Sequence, residues 1–353
     1  MDYIQRLIDF INASPVNFLA VDEIKRQLEG AGFKPFSLGD AMPALNAGDG
    51  IFTTKNSSAI FAVRRGRKPL EEAGFKLICA HCDSPTFRIK PQPEMKSEGG
   101  IVRLNTEVYG GPIMSTWFDR PLSLAGRVLL RGASALHPEE RLLHIKEPLL
   151  VIPNLAIHFN RQVNDGVKLN RQKDMLPVML QEGETLMGIV VRALNEDACA
   201  AGMPHLREED ILDFDLYLYD TTPACRVGSD LISAGRLDDL SMVHAGLEAL
   251  LAADTADETQ VLAIFDNEET GSGTKQGAHS PVLRDILLRL CGGSEEALAR
   301  AVEHSFMVSA DNAHAFHPNY PDKYDPTNHP EMGGGPVIKI IAAQKYATDA
   351  RSA

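Results

Sequence analysis

The chain has 353 residues, more than the roughly 250–300 at which a single hydrophobic core stops growing, so we expect two domains. Its composition, 44% hydrophobic and 24% charged with 28 glycines and 21 prolines, excludes collagen-like and disordered chains. The formal net charge of -13 argues against nucleic acid and anionic membranes as partners, because both repel an acidic surface.

The first residues and the cysteines bear on the compartment. Met1–Gln5 carries neither the positive charge nor the apolar stretch of a signal peptide. No run of the sequence approaches the ~20 apolar residues of a membrane-spanning helix. The five cysteines are odd in number and mostly isolated, which is typical of reduced thiols. We therefore expect a cytoplasmic location.

The first ninety or so residues alternate predicted helices with short breaks. Apolar residues at helical spacing predict a first helix that Ser14-Pro15 ends, and a second amphipathic run covers Ala20–Ala31. The short apolar run Lys76–Ala80 predicts a buried strand, and this strand delivers His81 at its end.

Residues 92–224 have a different pattern, in which short runs of strand character are broken by glycine and proline. The predicted strands include Ile101–Leu104, Arg127–Leu130 and Asp213–Asp220. The segments 142–153 and 185–195 fit either strands or short helices. We interpret 92–224 as an inserted β-rich second domain.

After Cys225, helices and strands alternate again. The predicted helices lie at Leu240–Ala253 and near 281–291 and 295–304, and the apolar runs typical of strands are Gln260–Phe265, Phe306–Ala310 and Val337–Ile341. Such alternation favours a largely parallel sheet with helices on both faces. The predicted fold class is therefore α/β, with a mixed, largely parallel sheet formed by the discontinuous catalytic domain, residues 1–91 and 225–353.

Polar side chains follow the ends of these apolar runs. His81 and Asp83 follow one predicted strand, and Asp266–Glu269 follows a second. Asp311 follows a third, and Asp238-Asp239 precedes a helix. Because open α/β sheets bind ligands beyond the carboxyl ends of their strands, we expect these groups to converge on one crevice.

A crevice that holds one imidazole and several carboxylates is electrostatically costly unless cations balance it. His, Asp and Glu ligands suit Zn²⁺ or Mn²⁺, and two such ions about 3.5–4 Å apart are usual where carboxylates bridge. One acid of an adjacent pair can bind metal while its neighbour accepts a proton from water. The pattern therefore indicates metal-assisted hydrolysis.

Each of these residues, taken singly, has an ordinary structural explanation. A histidine after a strand is more often a hydrogen-bonded loop residue than a metal ligand. Asp238 and Asp239 would serve as helix N-caps, and Glu268-Glu269 before Gly271 would form a solvated turn. The metal-site interpretation depends on all of them falling at strand and helix edges together.

Six segments of the sequence form an ordered set of motifs. They are His81–Pro85, Val108–Pro112, Thr116–Arg120, Gly235–Asp239, Asp266–Ser272 and Ser309–His314. In this order they resemble the aspartyl aminopeptidase family, the two-zinc aminopeptidases related to vacuolar aminopeptidase I. The resemblance runs from about Ser14 to the C-terminus. It implies a zinc exopeptidase-like fold, and a large homo-oligomer, a dodecamer built from dimers, in which the inserted domain 92–224 serves for oligomerisation.

The resemblance also implies a role for each matched ligand. His81 and Asp311 would bind one zinc ion, and Asp238 would bridge it to a second. Asp83 would lie behind His81, where a carboxylate fixes and orients a ligating imidazole. The implied cofactors are therefore two divalent cations, zinc by this resemblance.

The same resemblance assigns the glutamate pair and three further positions. Glu268 would be the general base and Glu269 a ligand of the second zinc ion. His158 matches a family histidine of the inserted domain that reaches a neighbouring subunit's active site; the alternative is an ordinary hydrogen-bonded strand histidine. Lys339 would line the substrate pocket, where its cation could pair with an acidic substrate side chain, and Tyr346 would line the same pocket.

The sequence departs from the family pattern at its C-terminal end. Family chains continue through a Gly-rich segment to a Met-His-Ser motif whose histidine completes the second zinc site, whereas this sequence closes with Tyr346–Ala353. Three explanations stay open. The chain is a fragment of a longer protein, or His314, His317 or His329 substitutes, or the chain is a non-catalytic relative that forms oligomers.

Three functions follow from these observations. The leading hypothesis is a metallo-aminopeptidase acting on peptides with a free N-terminus, beginning with Asp or Glu, in which Glu268 takes a proton from the attacking water. The second is a two-metal amidase acting on N-acyl amino acids, which a comparison of free and N-blocked peptides distinguishes. The third is a non-catalytic subunit, which metal analysis distinguishes.

Overall fold

The computed structural model describes residues 2–134, 136–179, 183–200, 204–340, 342 and 348–353. The helices of this part are α1 (Tyr3–Ala13), α2 (Asn17–Gly30), α3 (Leu70–Ala73), α4 (Leu186–Ala200), α5 (Leu237–Ala252), α6 (Val282–Leu290) and α7 (Glu295–Glu303). The strands are β1 (Lys34–Pro35), β2 (Gly50–Lys55), β3 (Ala59–Arg64), β4 (Phe75–His81), β5 (Thr86–Lys96), β6 (Val102–Tyr109), β7 (Leu122–Ser134), β8 (His137–His144), β9 (Leu150–Val151), β10 (Val178–Met179), β11 (Ile211–Asp220), β12 (Cys225–Val227), β13 (Leu231–Ser233), β14 (Thr259–Phe265) and β15 (Phe306–Ser309). The chain divides into two compact units, one ending at Ala310 and the other comprising Asp311–Ala353.

The first unit contains a six-stranded sheet in the order β1-β2-β3-β14-β4-β15. Its parallel pairs are β1–β2, β14–β4 and β4–β15, whereas β3 runs antiparallel to both of its neighbours. The sheet is therefore mixed, as the alternation of strands and helices predicts. Because β14 and β15 flank β4 in parallel, the carboxyl ends of all three strands meet at one edge.

Helices cover both faces of this sheet, and the alternation of side chains along β3 shows why. Ile60 and Ala62 point to one face, where they join an apolar cluster with α1, α2 and α5. Phe61 and Val63 point to the other face, where they pack with α6 and α7. Successive residues of a strand face opposite sides, so a strand that is apolar throughout needs cover on both.

A second sheet in the same unit has seven antiparallel strands in the order β11-β5-β6-β10-β9-β7-β8. Because β11 pairs with β7 as well as with β5, six of these strands close into a barrel. Helix α4 places Leu186, Ile189 and Val190 in the apolar core of the barrel. The predicted fold class, a mixed α/β fold with a second β-rich part, is confirmed.

The structure decides one local prediction that was left open and shows that another was wrong. The segment 185–195, which fitted a strand or a helix, belongs to α4. The apolar run Val337–Ile341 suggested a strand, but residues 337–340 form neither strand nor helix, and Ile341 lies outside the described residues. Val337, Ile338 and Ile340 are exposed, and apolar residues form a strand only where a neighbouring strand pairs with them.

Two further points concern the organisation of the chain. The proposed boundaries of the inserted domain, 92 and 224, stay a prediction; the barrel strands run from Thr86 to Asp220. The unit Asp311–Ala353 has little regular structure, and in it the Phe316 ring contacts Tyr324 and His329 with centroid distances of 5.3 and 4.8 Å. Among the described helices, none is both long and apolar enough to cross a bilayer.

Candidate metal centre

Three chain segments converge at the carboxyl edge of the six-stranded sheet. His81 is the last residue of β4 and pairs in register with Phe265, the last residue of β14, so Asp266–Glu269 follows at the same level. Asp238 and Asp239 lie in the first turn of α5, where their backbone angles are not helical and their peptide bond is cis. The sheet edge therefore gathers one imidazole and several carboxylates, as the sequence predicts.

The His81 ring lies between carboxylates on both sides. Its Nδ1 is 3.1 Å from the backbone oxygen of Asp83, and its Nε2 is 3.3 Å from Asp238 Oδ1 and 3.9 Å from Glu268 Oε2. When Nδ1 carries the proton and donates to Asp83, the lone pair of Nε2 points toward the two carboxylates. The side chain of His81 is 7% exposed, whereas those of Asp238 and Glu268 are 55% and 54% exposed. The nitrogen ligand is thus fixed, and the carboxylates face solvent.

Asp83 is the buried anchor of this centre. Its Oδ1 accepts a hydrogen bond from the Glu268 backbone N–H, and its Oδ2 accepts one from the Glu269 N–H, both at 3.1 Å. The Tyr109 hydroxyl also donates to Asp83 Oδ2 at 2.8 Å, while accepting from Asn267 Nδ2 at 2.8 Å. One carboxylate therefore positions the backbone of both glutamates and contacts the imidazole.

Three residues of this network received no role of their own from the sequence. Tyr109 ends barrel strand β6, Asn267 lies between β14 and Glu268, and Asp239 Oδ2 is 3.3 Å from the His81 backbone nitrogen, which donates to it. Tyr109 belongs to the motif Val108–Pro112, and this motif is the feature of the sequence that could have indicated a role for Tyr109. Its spacing along the chain does not reveal which carboxylate it reaches.

Gly110 is a glycine because Glu269 occupies the space beside it. A Cβ atom at residue 110 would lie 3.0 Å from Glu269 Cβ and 3.3 Å from Glu269 Oε2. The backbone φ of Gly110 is +68°, in the left-handed region that glycine adopts without penalty. The turn after β6 therefore forms one wall of the Glu269 site.

The titration of the centre shows an excess of negative charge. Burial opposes protonation of His81, but its contacts with Asp238 and Asp83 outweigh burial and raise the pKa of the imidazole to about 11. Burial and the neighbouring charges of Asp238 and Asp83 raise the pKa of Glu269 to about 7. Both raised pKa values mean that added positive charge is stabilised at the metal centre. The donor set, one imidazole nitrogen and carboxylate oxygens, fits a divalent ion such as zinc.

The remaining four predicted site residues belong to other segments of the chain. Asp311 and Lys339 belong to the second unit, in which Lys339 Nζ is 3.3 Å from Asp311 Oδ2 and 3.1 Å from the Asn312 backbone oxygen. In the chain, Asp311 directly follows Ala310, whose N–H donates to the Cys79 carbonyl oxygen of β4 at 2.8 Å. His158 is exposed in the 3₁₀ turn Ile157–Phe159. Tyr346 lies outside the described residues.

A cleft opens beside the metal centre. It has a volume of about 500 Å³, and Asp83, Asp238 and Glu269 line it together with Tyr109 and Trp117. This volume is within the usual range for small-ligand sites. Carboxylates that could hold a metal thus border a space that could hold a short peptide.

Comparison with known proteins identifies the family to which this site belongs. Residues 10–353 match the family model described as aminopeptidase I zinc metalloprotease (M18). The chain belongs to the M18 aminopeptidase family. The resemblance drawn from the six motifs is therefore confirmed, and so is the prediction that this M18 chain is an enzyme, a zinc aminopeptidase.

Individual members of the M18 family are similar over almost the whole chain. The chain is 50% identical over 363 residues to the probable M18 family aminopeptidase 2 of Clostridium acetobutylicum, and the match covers 100% of this chain and 81% of that protein. A solved structure of Ape4 in complex with Nbr1 has a TM-score of 0.90 and 32% identity, covering 99% of this chain and 70% of that one. The S. cerevisiae mApe1 dodecamer has a TM-score of 0.76 and 25% identity, covering 94% of this chain and 76% of that one.

Proposed function

We propose that this M18 aminopeptidase hydrolyses the first peptide bond of peptides that have a free N-terminus and begin with Asp or Glu, with two zinc ions as cofactors. The observation that carries this proposal is the His81 imidazole, held by Asp83 on one side, with the carboxylates of Asp238 and Glu268 at 3.3 and 3.9 Å on the other. A histidine-carboxylate set that opens into a cleft is suited to metal-assisted hydrolysis.

We assign the metal ligands from the family motifs, and the geometry around His81 supports the assignment for the ligands of the first unit. His81 and Asp311 would hold the first ion, Asp238 would bridge, and Glu269 would hold the second. The half-exposed side chain of Asp238 beside His81 Nε2 supports its bridging position. Zinc, when bound, supplies Lewis acidity that lowers the pKa of water and stabilises negative charge on the carbonyl oxygen.

Glu268 would accept and return the proton in this reaction. Its carboxylate is 54% exposed and lies 3.9 Å from His81 Nε2, while the hydrogen bond from its backbone N–H to Asp83 fixes the position of its backbone. In the proposed reaction, Glu268 takes the proton of the attacking water and later transfers it to the leaving amine, which keeps the proton count balanced. The neighbouring Glu269, which Gly110 confines, is free for metal binding.

The preference for an acidic first residue is assigned to Lys339. Its ammonium group contacts Asp311 and the Asn312 carbonyl oxygen, and its side chain is 33% exposed. If Asp311 serves as a metal ligand, the ammonium group of Lys339 would be available to pair with the carboxylate of a substrate side chain. We assign Tyr346 to the same pocket from the resemblance alone.

We further propose that the protein acts as a homo-oligomer, a dodecamer built from dimers; the similar S. cerevisiae mApe1 is described as a dodecamer. The segment around His158 supports this proposal because Leu155, Ile157 and Phe159 beside it are exposed apolar residues. Apolar side chains grouped on a surface mark subunit contacts. The compartment we propose is the cytoplasm, which agrees with the five free cysteines of the described chain.

The test is release of free aspartate from a peptide such as Asp-Ala-Ala by the zinc-loaded protein. We expect a chelator to abolish release and zinc to restore it. We expect Glu268→Gln to retain its zinc but lose about 10²–10⁴-fold in kcat, the usual contribution of a general base. Full activity in Glu268→Gln would refute the assignment. Hydrolysis of N-acetylated peptides at the same rate would instead indicate an amidase.

A further inference from the structure

The cleft beside the metal centre is lined by side chains of both charge signs. Asp83, Asp238 and Glu269 belong to its lining and to the metal centre. Arg120 and Arg236 also line the cleft, and they are the side chains that carry a permanent positive charge among its described lining residues. A short peptide is itself a dipole, with an ammonium at one end and a carboxylate at the other.

Arg236 has donors that the described residues leave unused. Its Nε is shielded from solvent and meets no acceptor in the described chain. One of its terminal nitrogens, Nη2, donates to the Ile11 backbone oxygen over a long 3.4 Å. A guanidinium has five N–H donors in a planar fork, and shielded donors without acceptors are costly. The guanidinium of Arg236, which lines the cleft, therefore has hydrogen-bonding capacity left for an anion.

Asp220 is an acid of the same cleft, and its charge acts on Arg236. Its hydrogen bonds go to other groups: Asp220 Oδ2 accepts one from Arg120, and Asp220 Oδ1 accepts one from the Thr222 N–H at 2.9 Å. Among the described hydrogen bonds, none joins Asp220 to Arg236, so the N–H donors of Arg236 stay open to a ligand. Arg120 uses one of its nitrogens for Asp220 and turns a half-exposed guanidinium toward the cleft.

The distance along the chain sets the length of the ligand. Arg236 precedes Asp238 by two residues, so their Cα atoms lie within about 7 Å of each other. An extended peptide advances about 3.3–3.6 Å per residue. A peptide whose scissile bond lies at Asp238 therefore brings a carboxylate to Arg236 when one or two residues follow that bond.

We propose that Arg236, assisted by Arg120, binds the C-terminal carboxylate of the substrate, so that the preferred substrates are dipeptides and tripeptides with a free C-terminus. This inference rests on the proposed peptidase function and narrows its substrate class. Arginine recognises a carboxylate through two parallel hydrogen bonds. A peptide amide would leave the shielded donors of Arg236 without an acceptor, so the site discriminates against it.

The first experiment measures kinetics on the zinc-loaded enzyme with Asp-Ala and Asp-Ala-Ala and with the C-terminal amide of each. We expect KM to be about tenfold or more higher for the amides, with kcat nearly unchanged. In Arg236→Met the acid and amide forms should have equal KM values, and Arg236→Lys should restore part of the difference. Arg120→Met should reduce the difference. Arg131→Met, an exposed arginine of β7 outside the cleft, should leave it unchanged.

The second experiment separates binding from turnover. Calorimetry with the zinc-loaded Glu268→Gln variant should show tighter binding of Asp-Ala than of its amide, and the zinc content of Arg236→Met should equal that of the wild type. Equal KM values for acids and amides in the wild type would overturn the inference while leaving the peptidase function intact. A failure of the peptidase function appears differently, as no hydrolysis of any peptide in the series.

Discussion

Replacing Tyr109 by Phe tests whether the barrel contributes to the metal centre. The substitution removes one hydroxyl and leaves the ring in place, beside the Tyr217 ring at a centroid distance of 5.7 Å. The hydroxyl donates to Asp83 Oδ2 and accepts from Asn267. Its loss therefore removes one of the bonds that hold the Asp83 carboxylate.

The magnitude follows from the kind of hydrogen bond that is lost. A hydrogen bond to a charged group contributes about 1.5–3 kcal/mol, and partners of ligand-orienting groups change metal affinity by about 10–100-fold. After the substitution, Asp83 keeps the two backbone N–H donors at 3.1 Å and its contact with His81. We therefore expect the variant to fold, with zinc affinity and kcat each reduced by about 10–100-fold and KM little changed.

The assay is zinc affinity measured by competition with a chromophoric chelator, together with kcat and KM on an Asp-peptide. The matched control is Tyr217→Phe, which removes a hydroxyl from the adjacent ring. Among the described residues, the Tyr217 hydroxyl makes no hydrogen bond to the metal centre. The control should keep wild-type zinc affinity. If Tyr109→Phe binds zinc within about twofold of the wild type, Asp83 is held by the backbone donors alone and the reasoning is wrong.

Three further predictions address the wall of the site, the core and the metal. Gly110→Ala places a residue with a Cβ atom in a left-handed backbone conformation, at a cost of about 1–2 kcal/mol, and this Cβ crowds Glu269. We therefore expect a lower melting temperature and weaker binding of the second zinc ion. Unchanged values of both would contradict this expectation. Burial lowers the pKa of His244, and the negative charge of Glu248 opposes this shift only in part. As the pH drops, the unfolded state therefore binds a proton at this histidine before the folded state does, and the stability of the fold should decrease below about pH 6.5. In His244→Phe the difference in melting temperature between pH 7.5 and 5.5 should shrink; an undiminished difference would assign the acid sensitivity to other groups. A metal ion that binds only the folded state stabilises that state, so removal of the metal by a chelator at neutral pH should lower the melting temperature. Stoichiometric zinc should restore the original melting temperature. A melting curve that the chelator does not change would argue against a metal site in the folded protein.

The positions of the metal-centre residues could be predicted because they depend on local features of the chain. A short apolar run gives a buried strand, and the carboxyl ends of parallel strands meet at one edge. That rule placed His81 beside the segment that follows β14, and the register of β4 against β14 shows the two strand ends level. The helical spacing near the N-terminus and after Cys225 likewise gave helices close to the observed ones.

The contacts between distant segments could not be predicted from the pattern. Tyr109 reaches Asp83 only because β6 pairs with β5 and brings its last residue back to the sheet edge, and no spacing along the chain encodes that approach. The closure of the barrel through β11 and β7 is non-local in the same way. The exposed run 337–340 shows the reverse case, since its apolar pattern predicts a strand but does not supply a pairing partner.

The most direct test of the account is a calorimetric titration of zinc into the chelator-treated protein, performed on the wild type and on Asp238→Asn. We propose that Asp238 is a ligand shared by two ions. We therefore expect about two zinc ions per wild-type chain, and a loss of tight binding at both sites when this shared ligand is removed in the variant. Zinc binding to Asp238→Asn with wild-type stoichiometry and affinity would contradict the proposed metal centre.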